Sequence, residues 1–225
     1  MKRSDSEIRR ERMFEQVDST ELISEELYNL VVGLTVCSGF LINFFVMRFF
    51  AEPLSEMSYG VSILMYFLFS FGGMFIAYRS NSAALSYAGF ALLAVGFSVV
   101  LNGVVYYYAP QTVVSAIYVT LGATVLMMVI STIVPKFFAG LGKILFISLL
   151  VVIVVEVVMM FAGIIEPTAL DFLVALLFCG YIGFDWSRAQ SYPKTMNNAI
   201  DASVDIYVDI VNLFLRILSI LGKRN

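Results

Sequence analysis

The chain has 225 residues, 60% of them hydrophobic and 14% charged, with a net charge of −3 and a mean hydropathy of +0.89. A water-soluble domain is about a quarter charged, so this composition excludes one, and no basic face offers itself to nucleic acid. The absence of histidine excludes imidazole proton relays, His-ligated metals and Ser-His or Cys-His nucleophile pairs.

Residues 1–24 are charged and of mixed sign. They are too acidic for a signal-peptide n-region, and no small-residue cleavage site follows the first apolar run. They read as a retained cytosolic leader, and residues 25–225 as a transmembrane domain. Hydrophobic runs then fall at 27–49, 59–78, 83–107, 112–134, 143–165, 168–185 and 199–221. Each is about the ~20 residues that cross ~30 Å of hydrocarbon as a helix. Pro53, Pro110, Pro135, Pro167 and Pro193 sit between runs, and Arg79-Ser80-Asn81-Ser82 supplies the remaining turn. The predicted fold is all-α with seven transmembrane helices. Within the early runs, Asn43 and Asn102 suit interhelical hydrogen bonds and Gly72-Gly73 suits close packing or a bend. Cys37 and Cys179 read as small buried apolar residues. Tyr106, Tyr107, Tyr108 and Trp186 suit interfacial belts. Glu156 stands alone at the centre of the fifth run.

The seventh run differs from the others. Asp201, Asp205, Asp209, Asn212 and Arg216 follow at spacings of four, four, three and four. At roughly 100° per residue they share an arc of about 80° on an otherwise apolar helix. Ionised side chains within a span are costly and mark functional pathways by default. Asp185 closes the run before. With the N-terminus inside, Lys2, Arg3, Arg9, Arg10, Arg12, Arg79, Lys136, Lys143, Arg188 and Lys194 fall on the inner side, against Arg48, Lys223 and Arg224 outside. This asymmetry predicts N-in, C-out. Glu52, Glu56, Glu166 and Asp171 then fall outside as solvated loop acids or as attractors of cations. Short loops and the lack of a signal sequence point to a bacterial inner membrane.

GYIGFDWSRAQ, a short polar loop and DIYVDIVNLFLRIL, within residues 180–221, resemble the C-terminal signature of the Bax inhibitor-1 family. The matching positions are Phe184-Asp185, Tyr207-Val208-Asp209, Asn212-Leu213-Phe214 and Arg216. The resemblance implies seven helices with the C-terminal one central, and a pH-sensitive calcium leak. It also implies a proton shared between one aspartate from each of the last two helices, which by position are Asp185 and Asp209. A basic latch at the cytosolic end of helix two corresponds to Arg79. Asp205 matches those members that read D-x-x-x-D in the last helix.

The chemistry can also be argued from the residues. Two carboxylates close together in low dielectric cannot both ionise cheaply, and such pairs titrate jointly. With one shared proton they tie two helices together. With none they repel unless a hard cation such as calcium enters, which makes Asp185 and Asp209 a transient calcium site. No resident cofactor is expected. Asp201 and Glu156 are candidate cavity residues, and Asp201 also suits a helix N-terminus. Arg216, Asn212, Asp205 and Arg79 are candidates for a latch or polar network. Arg216 is too far from Asp209 for i,i+4 pairing and is free to meet Glu156 or another helix. A purely structural polar network is the alternative reading of the stripe, whereas an interfacial helix would be basic on its polar face.

Three functions compete. The first is a calcium leak channel. The second is a membrane interaction protein that modulates a membrane protease or quality-control complex. The third is a proton-coupled transporter. The expected partners are the bilayer, calcium ions and membrane proteins. No enzyme motif is present, and the Gly-x-Gly-Asp context of intramembrane aspartyl proteases is missing around Asp185.

Overall fold

A computed structural model describes residues 21–163 and 168–222. Among them are eight helices and no strand: α1 Glu25–Glu56, α2 Tyr59–Arg79, α3 Ala83–Val105, α4 Pro110–Ile133, α5 Pro135–Gly140, α6 Gly142–Ala162, α7 Thr168–Ser191 and α8 Met196–Leu221. Most of the predicted leader, with Glu166, Pro167, Lys223 and Arg224, lies outside the described residues. Six of the helices are long and apolar enough to cross a membrane, namely α1–α4, α6 and α7. The 26-residue α8, with its three aspartates and Arg216, does not meet that composition.

Helix boundaries follow local chemistry. Ser24 caps α1 by accepting from the Leu27 N–H at 3.2 Å, and Glu25 and Glu26 occupy the first turn, where negative charge suits the helix dipole. Pro110 and Pro135 open α4 and α5, where a missing N–H costs nothing. Gly163 ends α6 at φ 63, a left-handed cap that glycine adopts without strain.

Three sequence expectations are corrected. Pro53 lies inside α1, one turn from its end, so the helix overruns its apolar stretch. The segment expected to end at Asp185 continues to Ser191, because Trp186–Gln190 are polar yet compatible with helix. The Pro135–Gly140 connection is itself a short helix that buries Phe138. In addition Cys37 is exposed and Cys179 half-buried, so burial does not explain the first. Tyr106 and Tyr107 are exposed as a belt requires, but Tyr108 is buried.

The described chain divides into two compact units. The first takes the residues up to Tyr106 with Ser191–Asp205. Its α2 and α3 meet along Ser70, Gly73 and Ala77 against Gly89, Leu93 and Gly96. A Cβ on Gly73 would lie 2.4 Å from the Gly89 carbonyl oxygen, and one on Gly89 would lie 2.6 Å from the Ala77 nitrogen. Small residues here let two backbones touch. Asn43 of α1 donates to the Ala94 carbonyl at 2.8 Å and to Ser98 Oγ at 2.9 Å, tying α1 to α3. The Ile23 N–H donates to the Lys194 carbonyl at 2.8 Å, and the Lys194 ammonium lies 4.4 Å from the centre of the Tyr28 ring. Burial lowers the Lys194 pKa, and the charge on Glu25 opposes that shift.

The second unit takes Tyr107–Gln190 and the residues from Ile206. Glycines on α7 receive bulky neighbours: Gly183 abuts the Phe138 ring and Gly180 abuts Leu145. Ser131 of α4 donates to the Gly183 carbonyl, Ser187 donates to the Pro135 carbonyl at 3.0 Å, and Trp186 Nε1 donates to Thr132 Oγ1 at 2.9 Å.

Burial is inverted relative to polarity. The most apolar helix, α6, is exposed along most of its length, whereas α8 is exposed only at Met196 and Leu221. In water this arrangement would be unfavourable, but in hydrocarbon polar groups must be satisfied inside and apolar faces belong outside.

Candidate functional site

The acidic helix is built so that its polar face is buried. Period-3.6 spacing collects Asp201, Asp205, Asp209 and Arg216 on one face, and each meets a different environment. In the first unit Asp201 is fully buried. Asp205 accepts a short hydrogen bond from the Tyr78 hydroxyl. Next to Tyr78, Arg79 closes α2, is exposed, and places its guanidinium 4.6 Å from the centre of the Phe75 ring. Asn197 extends the polar region by donating to the Ser80 carbonyl at 3.2 Å and accepting from Ser86 Oγ at 2.8 Å. Ser203 donates to the Ala199 carbonyl at 2.7 Å and contacts the Val32 carbonyl at 3.3 Å.

In the second unit, Asp185 and Asp209 are both buried, at 8% and 6% exposure. Asp185 lies on α7 and Asp209 on α8, and the helix register relates them. Ser219 Oγ donates to Asp171 Oδ2 at 2.7 Å, which aligns the end of α8 with the start of α7. Carried back along an antiparallel pair, that register brings Asp209 level with Tyr181. Asp185 lies four residues further along α7, about 6 Å of rise and on the same face. Tyr181 is therefore level with Asp209 and one turn from Asp185.

Sequence reasoning missed two members of this site. Tyr181 was visible only as an i,i+4 neighbour of Asp185. Arg188, counted as a loop charge, belongs to α7, and its Nη1 donates to Asp185 Oδ1 at 3.1 Å. Its guanidinium also lies 5.2 Å from the centre of the Phe184 ring.

At the other end of α8, Arg216 Nη1 donates to Asp171 Oδ1 at 3.1 Å, and Nη2 forms an ion pair with Glu156. Asp171, expected as a solvated loop acid, is buried in the first turn of α7. The lone Glu156 of α6 thus has a cationic partner. Asn212 turns back to donate to the Val208 carbonyl of its own helix at 2.8 Å. Glu52 and Glu56 are exposed at the end of α1. No group of three or more metal-binding side chains occurs among the described residues, so any cation held by Asp185 and Asp209 would need carbonyl or water oxygens as well.

Six apolar helices and a buried acidic helix define a multi-pass helical membrane protein. The chain belongs to the Bax inhibitor-1 family: the model of that family, described as inhibitor of apoptosis-promoting Bax1, matches residues 22–225. The Bax inhibitor 1 of Schizosaccharomyces pombe is 30% identical over 127 residues, 54% of this chain and 46% of the relative. A BI1-like protein of Arabidopsis thaliana is 42% identical over 91 residues, 39% of this chain and 35% of the relative. A membrane protein of Vibrio cholerae is 38% identical over 91 residues, 40% of each chain. The matched stretches thus cover 35–46% of these relatives' lengths.

Proposed function

We propose that the protein is a pH-sensitive calcium leak channel of a bacterial inner membrane, gated by a proton shared between Asp185 and Asp209. In this reading α8 is the seventh span and is surrounded by the others, with the N-terminus cytosolic and the C-terminus outside. The observation that carries it is the burial of two carboxylates, Asp185 of α7 and Asp209 of α8, within one compact unit. One proton on the pair favours the closed helices. Loss of that proton leaves two like charges in low dielectric, which are relieved by helix separation and entry of a hard cation.

The test is calcium entry into proteoliposomes as a function of pH. Flux rises as pH rises through the apparent pKa of the pair. Asp185→Asn and Asp209→Asn each abolish that dependence, and unchanged pH profiles in both variants would sink the reading.

A second reading, a membrane interaction protein, is favoured by the name of the yeast relative, Bax inhibitor 1. It places function in the leader and loops, so deletion of residues 1–20 would abolish capture of a membrane partner and spare the flux.

A further inference from the structure

We infer that Arg216 is an autoinhibitory clasp: its guanidinium binds Glu156 of α6 and Asp171 of α7 to α8, and this three-helix ion pair must open before a cation can pass. The inference rests on the channel reading above and adds a second barrier in series with the aspartate pair.

The geometry separates the two. Asp171 lies fourteen residues before Asp185, about 21 Å along α7, and Arg216 lies seven residues beyond Asp209, about 10 Å along α8. The clasp therefore sits at the far end of the same helix pair.

Its chemistry suits a releasable contact. The two guanidinium N–H groups reach two carboxylates on different helices, and Ser219 Oγ holds the other oxygen of Asp171. One fork bridging two acids is a task for arginine; a lysine ammonium offers a single nitrogen. Two carboxylates and one guanidinium leave a net charge of −1, so an arriving hard cation competes with Arg216 for the same oxygens. The Arg216 and Glu156 side chains are 21% and 29% exposed, against 7% for Asp171. The contact is anchored at Asp171 and open at Glu156.

The experiment uses the full chain with Cys37→Ser and Cys179→Ser, and with Asn212→Cys one turn from Arg216 toward Asp209. In sealed proteoliposomes, the rate of modification by a membrane-impermeant thiol reagent reports access past the clasp, and calcium flux is read in parallel. Arg216→Gln raises the labelling rate tenfold or more and the flux at least fivefold. Combined Glu156→Gln, Asp171→Asn and Arg216→Gln leaves no charge stranded and does the same, so the outcome does not depend on a variant with unpaired acids. Arg216→Lys falls between parent and Arg216→Gln. Labelling within twofold of the parent, in both Arg216→Gln and the combined variant with unchanged thermal melting, overturns the clasp. If labelling accelerates while no calcium passes in any protein, the clasp stands and the channel reading falls. If the parent shows pH-dependent flux that neither variant alters, the channel reading stands and the clasp falls.

Discussion

Tyr181, Asp185 and Arg188 fall on one face of α7. Arg188 pairs with Asp185 from one turn along the helix, and Tyr181 lies one turn the other way, level with Asp209 by register. If the phenol takes part in the proton balance of the pair, Tyr181→Phe moves the midpoint of the flux–pH profile by about half a unit or more, since a lost contact of under 1 kcal/mol already does so. Tyr192→Phe, at a buried tyrosine just past the end of α7 that belongs to the first unit, leaves the midpoint unchanged. A set of profiles from the two variants decides between them. At this scale the sequence was informative about which residues were costly but not about their partners. Glu156 and Arg216 stood out because charge is rare in apolar runs, and their pairing needed the fold. Asp171 was misplaced because an acid at the very start of an apolar run suggested a solvated end, whereas it is buried in the first turn of α7.

Among elements, the α2–α3 seam offers a sharp contrast between neighbours in sequence. A Cβ on Gly73 would press on the Gly89 carbonyl and on the Leu93 backbone, while one on Gly72 meets nothing within 4 Å. Gly73→Ala is therefore expected to destabilise by about 1–3 kcal/mol through overpacking against backbone. Gly72→Ala is expected to be neutral or slightly stabilising, since alanine favours helix by roughly 1 kcal/mol. Thermal melting of both variants in detergent checks the pair. Gly183→Ala belongs with Gly73, because its new methyl would overlap the Phe138 ring, and it is expected to lower the melting temperature as well. Six apolar helices were legible from hydropathy alone, because long apolar runs have few other solutions. Their ends were less so: Pro53 and Trp186–Gln190 change hydropathy without ending the helix, and α5 is too short to show a period.

For the whole molecule, the informative quantity is the direction of burial. Apolar α6 faces outward and charged α8 faces inward, which only an apolar surround rewards. Topology follows as a testable matter. With α8 as a seventh span, reporters fused after Leu221 and before Glu25 report opposite sides of the membrane. Reporters on the same side would mean that α8 does not cross. The excess of Lys and Arg on the predicted inner side argues for opposite sides.

The buried face of α8 also constrains how the protein is made. Three aspartates and an arginine, at about 2.5–3.5 kcal/mol each near the centre of a span, oppose insertion by something on the order of 10 kcal/mol. Six apolar helices precede α8 in chain order, and they carry the acceptors and donors that α8 needs: Tyr78 for Asp205, Arg188 beside the pair, Glu156 and Asp171 for Arg216. Alone, α8 would be left at the membrane surface. As the seventh span of the proposed topology it would enter the bilayer as a client of helices already there, so mutations that disturb those earlier helices would surface first as a failure of biogenesis, before any change in the proposed flux could be measured.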